Sequence, residues 1–376
     1  MNMGWTLFFL IPVACGAVYW MATTITLAIF FSKKKKPPVL ASPWPSVSLI
    51  KPVCGLEKNL EANLKTALGQ DYPDYEVIYV VQDKNDPALP VLEKIRGAQI
   101  VIDEEAPGPN GRLVNICNGA KRAAGEILVF SDSDMFLEPD YLKMIVAPFL
   151  EDSKGGMVCT LYRAAGAVRW FEKLELLSLN ADFIPSAVFA EVTGLSKICP
   201  GSSQAIRRDV LEKIGGLAPL AHYLVEDFEL GQRVQEAGFQ IKIIHYLAQT
   251  QVALHGVRDW WRHQVYWKQN TRAAAPVGFF FTLLIRAVPF SLLYALLGGV
   301  AGRGVLGITL GLRWVTSVWN ALILRDREGL KALWLLPLRD LLGFFVWIAS
   351  LTRHKTHWRG KVFRVKKGIM HEATGG

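Results

Sequence analysis

Ile127-Leu128-Val129-Phe130-Ser131-Asp132-Ser133-Asp134 joins a short apolar run to two carboxylates one residue apart. The run has the aliphatic continuity of a buried strand in a parallel sheet. Side chains alternate along an extended backbone, so Asp132 and Asp134 project from the same side of the strand end. Two hard oxygen donors so placed suit a divalent cation that carries a phosphorylated ligand. The carboxyl end of a strand is also where open α/β sheets bind their ligands. A solvated turn is the competing reading, because Asp and Ser are common turn formers.

Working outward, the chain alternates between strand and helix patterns. Val47–Ile50 reads as a strand and Leu56–Leu68 as a helix with apolar spacing near 3.6. Tyr75–Val81 is a second strand, ending at Gln82-Asp83. Pro87–Arg96 is helical with proline near its first turn, Gln99–Ile102 is a third strand, and Leu113–Ala124 is a helix leading into Ile127. This order predicts an α/β fold with a mostly parallel sheet and helices on both faces. Farther on, Met157–Leu161 reads as a strand, with helices at Trp170–Ala181, Arg208–Ile214 and Glu226–Ala237. Gly238 closes the last of these, and Gln240–His245 resumes as a strand. No GxGxxG or Walker A pattern occurs, which argues against nucleotide binding through those loops.

Of 376 residues, 51% are hydrophobic, and the excess lies at the two ends. Trp5–Phe31 is nearly free of charge and exceeds the ~20 apolar residues needed to cross a bilayer. A cleavable signal peptide fits poorly, since no basic residue precedes the run and the run is too long for an h-region. Lys33-Lys34-Lys35-Lys36 follows directly, and the positive-inside rule then puts the next domain in the cytoplasm. Near the other end, Phe279–Val300 and Val305–Leu324 read as spans separated by Ala301–Gly304. Arg286 and Arg313 within them should face protein, water or headgroups rather than lipid. Leu330–Leu351 carries Pro337, Arg339 and Asp340 near its middle, and reads as re-entrant or interfacial, which keeps the C-terminus cytoplasmic.

The boundaries that follow are an N-terminal anchor over 1–32, a basic, proline-rich linker over 33–45 and a catalytic domain over 46–255. An interfacial helix over 256–277, C-terminal membrane segments over 278–352 and a basic tail over 353–376 complete the chain. The net charge of +9 borders apolar segments, at Lys33–Lys36, Arg258–Arg272 and Arg353–Lys367, which points to anionic lipid headgroups rather than nucleic acid. Cys15, Cys54, Cys117, Cys159 and Cys199 are scattered without a CxxC pair, as reduced packing thiols of a cytosol-facing domain are.

Three acidic positions stand out: Asp83 after the second strand, Asp132 and Asp134 after the fourth, and Glu226-Asp227 at the start of a later helix. Singly each also reads as a turn or cap residue, and Asp227 suits a helix N-terminus. Together they bring out a resemblance. Val47-Ser-Leu-Ile-Lys51-Pro52, Gln70–Val77, Val81–Ala88, Cys199-Pro-Gly201-Ser202 through Gly216, and Val225-Glu226-Asp227 resemble the ceramide glucosyltransferase group, glycosyltransferase family 21, a near relative of family 2. The likeness runs from the first membrane segment to Trp358-Arg359-Gly360. Around Phe130–Asp134 and His263–Pro276 the chain is similar to bacterial hopanoid glycosyltransferases.

That resemblance implies a GT-A glycosyltransferase domain carrying N- and C-terminal transmembrane helices. It also implies roles for particular residues. Asp83 holds the uracil or ribose of a UDP-sugar, and Arg112 and Lys51 belong to the donor-binding region. Asp132 lies on the ribose and metal side, and Asp134 ligates Mg2+ or Mn2+ bridging the diphosphate. Asp227, with Glu226 beside it, is the general base that deprotonates the acceptor hydroxyl. Attack on the anomeric carbon inverts its configuration and gives a β-glycoside. The implied reaction moves glucose or N-acetylglucosamine from a UDP-sugar to a lipid such as ceramide or a hopanoid, in a multi-pass protein of the bacterial inner membrane. No nucleic-acid partner is expected.

One motif departs from the pattern. The group carries (Gln/Arg)-x-x-Arg-Trp on an interfacial helix, and the hopanoid branch His-x-x-Arg-Trp. This chain has His263-Gln264-Val265-Tyr266-Trp267. The resemblance assigns His263 and Trp267 to the active site, while Tyr266 replaces the arginine. Arg262, Lys268 and Arg272 are candidates for the missing charge. An aromatic helix at headgroup level is the alternative reading of all three motif residues. Two other functions compete with lipid glycosylation: a processive polysaccharide synthase, and a non-catalytic, membrane-tethered nucleotide-sugar binder.

Overall fold

A computed structural model of the protein describes residues 3–32, 43–195, 198–353, 355–358 and 361–372. The lysine run 33–36 and the linker as far as residue 42 lie outside the described residues, as do Arg359 and Gly360. The chain forms two compact units. The first comprises Lys34–Arg163, Ile198–Gln251 and Lys355–Gly376, and the second Met1–Lys33, Ala164–Lys197 and Val252–His354. The stretch 164–197, counted by the sequence reading within a continuous 46–255 domain, thus belongs with the apolar helices.

The first unit is built on an eight-stranded sheet of β1 Val47–Pro52, β2 Tyr75–Val81, β3 Gln99–Ile102, β4 Ile127–Ser131, β5 Met135–Phe136, β6 Gly155–Ala165, β7 Ser203–Arg207 and β8 Gln240–Gln251, in the order β3-β2-β1-β4-β7-β6-β8-β5. The first four run parallel, with Val47 opposite both Tyr75 and Ile127 and Ile78 opposite Gln99. Strands added later pair antiparallel, β7 with β4 and β6, and β5 with β8. The sheet is therefore mixed, with its parallel part made by the strands that the apolar runs identify.

Period-two alternation explains the two covered faces. Val47, Leu49, Val77, Tyr79, Ile127 and Val129 join one buried cluster with helix Leu60–Leu68 and helix Tyr141–Glu151. On the opposite face helix Gly111–Ala120 presses so close that a Cβ at Gly119 would lie 2.6 Å from Ile50 Cγ2 and 2.8 Å from Val80 Cγ2. Each buried aliphatic side chain here contributes roughly 1.5–3 kcal/mol. Three strands that the sequence reading takes as tail, β9 Lys355–Trp358, β10 Lys361–Lys366 and β11 Ile369–Glu372, form a second, antiparallel sheet. Its last turn returns to the segment before helix Glu226–Glu236, where Leu224 N donates to Gly368 O at 2.9 Å and Tyr223 bridges Ile369.

The second unit is helical. Helices Gly4–Ser32, Gly299–Ile323 and Arg327–Thr352 are long and apolar enough to cross a membrane. Phe9 packs on Phe290 and Tyr294, and Trp20 on Ala287 and Val288. The expected span Phe279–Val300 is not one helix. It breaks into Pro276–Phe281 and Ala287–Leu297, the latter too short to cross. Pro289 explains the break: it has no N–H to donate to Ile285, and its ring would clash with that carbonyl. The next boundary falls at Gly298-Gly299, where Gly299 has φ +61°, so 301–304 lies inside helix Gly299–Ile323 rather than between spans.

The sequence reading keeps Arg313 away from lipid, and its surroundings agree. Its guanidinium meets Asp340 at 2.9 Å and Asp182 at 2.6 Å, and lies 5.0 Å from the Trp20 ring centre. Asp182 reaches it from a π-helical segment, Ser178–Phe183, that continues helix Trp170–Leu177. The wider turn also brings in Asn180, which donates to Asp326 Oδ2 at 2.8 Å.

Candidate active site

In the first unit, the loop leaving β4 and the start of helix Glu226–Glu236 bring carboxylates around one arginine, and the loop entering β7 adds a carbonyl. Arg112 sits in the first turn of helix Gly111–Ala120, whose N-cap Asn110 accepts from Leu113 N. Its Nε donates to Asp132 Oδ1 at 2.6 Å and its Nη1 to Glu226 Oε1 at 2.8 Å, and Nη2 donates to Gly201 O. The Arg112 and Glu226 side chains are only 18% and 11% exposed, so the pairing is largely shielded from solvent. Asn110 fixes the second Glu226 oxygen, donating to Oε2 at 2.8 Å. Glu226 is thereby engaged on both oxygens.

Asp227 opens helix Glu226–Glu236, and its Oδ1 accepts from Phe228 N at 2.8 Å. Burial and the adjacent Glu226 push its carboxyl up to about 7, against the pull of Arg112. That places the group at the pH where a general base works best. Gly201 lies against it: a Cβ there would stand 2.6 Å from Asp227 Oδ2 and 3.1 Å from Cγ. A Gly201→Ala variant should therefore displace the carboxylate and slow turnover about tenfold or more, since an ångström of misplacement in a catalytic group is that costly. Thermal melting should change little. Wild-type turnover in the variant would show that Asp227 does not act from its observed position.

Asp134 Oδ2 accepts from Thr250 Oγ1 of β8 at 2.6 Å. Burial and the nearby Asp132 raise its carboxyl to about 6. Among the described residues no group of three His, Cys, Asp or Glu side chains forms a metal cage. Asp132 and Asp134 nonetheless supply carboxylate oxygens on one turn, a donor set suited to Mg2+ or Mn2+ that takes its other ligands from a diphosphate. The destabilised charge on Asp134 is what a bound dication would relieve.

Lys51 is completely buried, and its Nζ donates to the carbonyls of Asp132 at 2.9 Å and Met135 at 3.2 Å. Burial lowers its ammonium to about 8, against the pull of Asp134 and Asp132. It thus holds the Asp132–Met135 turn from beneath and presents no free group to a ligand. Asp83 is exposed at the end of β2, and its Oδ1 accepts from Asn85 N at 2.8 Å, a local turn. Asp86 is the residue that ties the neighbouring loops, accepting from Gly55 N at 2.9 Å and Ala88 N at 2.8 Å.

Two residues near the carboxylates escape the sequence reading. Glu57 accepts from Ser133 Oγ at 2.7 Å, and burial together with Asp134 pushes it up to about 7. Tyr162 of β6 bonds Ser202 and lies within the fields of Asp132, Asp134 and Asp227. Neither belongs to a local pattern, because the loop after β1 and the place of β6 in the sheet bring them there.

His263 and Trp267 lie in the second unit, on helix Val257–Ala274. One turn apart, their rings sit 5.2 Å centre to centre, and Phe183 packs edge-on to Trp267. His263 Nδ1 lies 2.8 Å from Glu175 Oε1, and Gln264 donates to Glu175 Oε2 at 2.7 Å. Glu175 is buried, so this motif is anchored in the helical unit through its first two residues.

Residues 7–370 match the model of the family described as Glycosyl transferase family 21. Ceramide glucosyltransferase 3 of Caenorhabditis elegans is 21% identical over 341 residues, covering 86% of this chain and 73% of that relative. Ceramide glucosyltransferase 1 of the same organism is 22% identical, over 53% of this chain and 44% of its own length. The probable glycosyltransferase YdaM of Bacillus subtilis (strain 168) is 25% identical, over 66% of this chain and 61% of its own length. The chain thus spans less than two thirds of two of these relatives. Among solved structures, the mannosyltransferase PcManGT from Pyrobaculum calidifontis, in complex with GDP-Man and Mn2+, shares the fold. Its TM-score is 0.54 at 18% identity, over 92% of this chain and 99% of that one.

Proposed function

The chain belongs to glycosyl transferase family 21, and from that premise we propose that it moves a hexose from a UDP-sugar to a membrane-lipid hydroxyl with inversion. Ceramide and hopanoids are the acceptor class, and glucose or N-acetylglucosamine the sugar. The observation that carries this reading is the largely shielded Arg112 bridge between Asp132 and Glu226. It ties the strand-end carboxylates to the helix that begins with Asp227, giving one site with two separate carboxylate tasks.

Asp134 and Asp132 would hold Mg2+ or Mn2+, which when bound offsets the charge building on the departing UDP. Lys51 and Thr250 keep that turn in place, and Arg112 holds Asp132 in register with Glu226. Asp227 takes the proton of the acceptor hydroxyl as its oxygen attacks the anomeric carbon. The C–O bond to UDP breaks on the opposite face, so an α-linked donor gives a β-glycoside. Asp83 would line the nucleoside side. The apolar helices suit a protein whose acceptor is a membrane lipid, and the expected position of the catalytic unit is the cytoplasmic face of the bacterial inner membrane.

The test is UDP release by the purified protein in detergent with lipid added, with donors and acceptors screened by mass spectrometry. EDTA should abolish release, and Mg2+ or Mn2+ should restore it. Asp134→Asn should raise the metal concentration needed about tenfold or more, as loss of a charged ligand does. Full turnover in EDTA would overturn the metal assignment.

A further inference from the structure

The helical unit gathers more positive charge than its carboxylates balance. Three elements converge: helix Val257–Ala274 carrying Lys268, the turn before helix Ala287–Leu297 carrying Arg286, and helix Leu336–Thr352 carrying Arg339. Helices Val257–Ala274 and Leu336–Thr352 are clasped by Arg272, whose Nη1 donates to Leu351 O at 2.7 Å. Arg286 lies against the second of these, its Nη1 3.5 Å from where a Cβ on Gly343 would stand. Gly343 is one turn beyond Arg339, so the two guanidinium groups share a helix face.

Asp182 and Asp340 are already engaged by Arg313 and Arg339. Arg286 Nε is buried with no hydrogen-bond partner. Among the described residues Lys268 likewise has no acceptor, although it lies close enough to Arg286 and Arg339 to feel both charges. Four cations thus face two carboxylates, with Arg313 buried and the other three partly shielded from solvent. Buried charge without a partner is costly, and such groups are normally paired. Burial and like charge lower the Lys268 ammonium to about 8, the direction an absent counter-charge predicts.

We propose that Lys268, Arg286 and Arg339 form a binding site for a phosphate monoester or diester. A planar guanidinium beside an ammonium matches phosphate oxygens in both geometry and charge. The phosphate belongs either to a lipid headgroup or to a soluble molecule, and the site is independent of whether sugar transfer occurs.

The full-length protein, incorporated without sugar donor into phosphatidylcholine nanodiscs containing either phosphatidic acid or diacylglycerol, tests this by native mass spectrometry of retained lipid. A parallel thermal-shift arm uses inorganic phosphate on lipid-free detergent-solubilised protein. Wild type should retain phosphatidic acid over diacylglycerol, or be stabilised by inorganic phosphate, the first outcome assigning a headgroup and the second a soluble phosphate. Arg286→Gln and Lys268→Gln should each weaken that binding about tenfold or more, and Arg286→Lys should keep most of it. The same preference should survive in Asp227→Asn, which separates this site from the transfer reaction. Equal retention of both lipids with no phosphate shift would overturn the proposal, as would wild-type binding in both glutamine variants.

Discussion

Replacing Asp227 by Asn should lower the rate of sugar transfer by about a thousandfold while nucleotide-sugar binding persists, the range expected for loss of a general base. The isostere keeps the acceptor for Phe228 N and the packing on Gly201, so it removes the charge and little else. The pH profile makes the assignment sharper. A base with its carboxyl at about 7 is increasingly protonated below that point, so wild-type kcat should fall tenfold per pH unit on the acid side. The residual activity of Asp227→Asn should lack this limb. Stability should move in the opposite sense. A carboxyl raised in the folded state favours folding when protonated, and that contribution fades as pH rises through about 7. The variant should therefore melt above wild type at pH 8 and converge with it near pH 4. Turnover within a few fold of wild type would remove Asp227 from the mechanism.

Arg112→Met should cost both fold and activity. Asp132 and Glu226 would be left as shielded carboxylates without their shared cation, a loss of roughly 3–5 kcal/mol for a buried network broken on one side. In a domain of this size that is about 6–20 °C in Tm, measurable by thermal unfolding in detergent. Turnover should fall at least a hundredfold, because Asp132 and the helix carrying Asp227 lose their common register. Adding Glu226→Gln to Arg112→Met should recover part of the stability but none of the activity. A single variant with wild-type Tm would mean that the bridge is not shielded as described.

The parallel half of the sheet was legible because β1, β2 and β4 are continuous aliphatic runs, the pattern that burial on both faces imposes. β7, with the sequence Ser203-Gln-Ala-Ile-Arg207, carries no such run and is defined only by its partners, β4 and β6. The strands β9 to β11 were hidden by their basic residues, since charge along a strand resembles charge along a tail. Hydropathy found the membrane segments but misjudged their ends, as an average over apolar residues does not register the missing N–H of Pro289. At the candidate site, Asp132 and Asp134 stand out in the sequence because they follow a strand end, and Asp227 because it opens a helix. Glu57 and Tyr162 were not, because their approach depends on loop paths and strand order. Lys51 was legible as a motif member, but not as a buried support for the turn.

The C-terminal sheet has a consequence for biosynthesis. The chain leaves the catalytic unit after Gln251 and rejoins it at Lys355. Leu224, two residues before Glu226, is tied to Gly368, and Asn110 spans Tyr223 O and Glu226. A ribosome therefore emits Asp227 long before the strands that buttress its approach. The nascent chain must complete its helical unit before the catalytic loop gains that support, so the order of synthesis delays full assembly until insertion of the helices is under way.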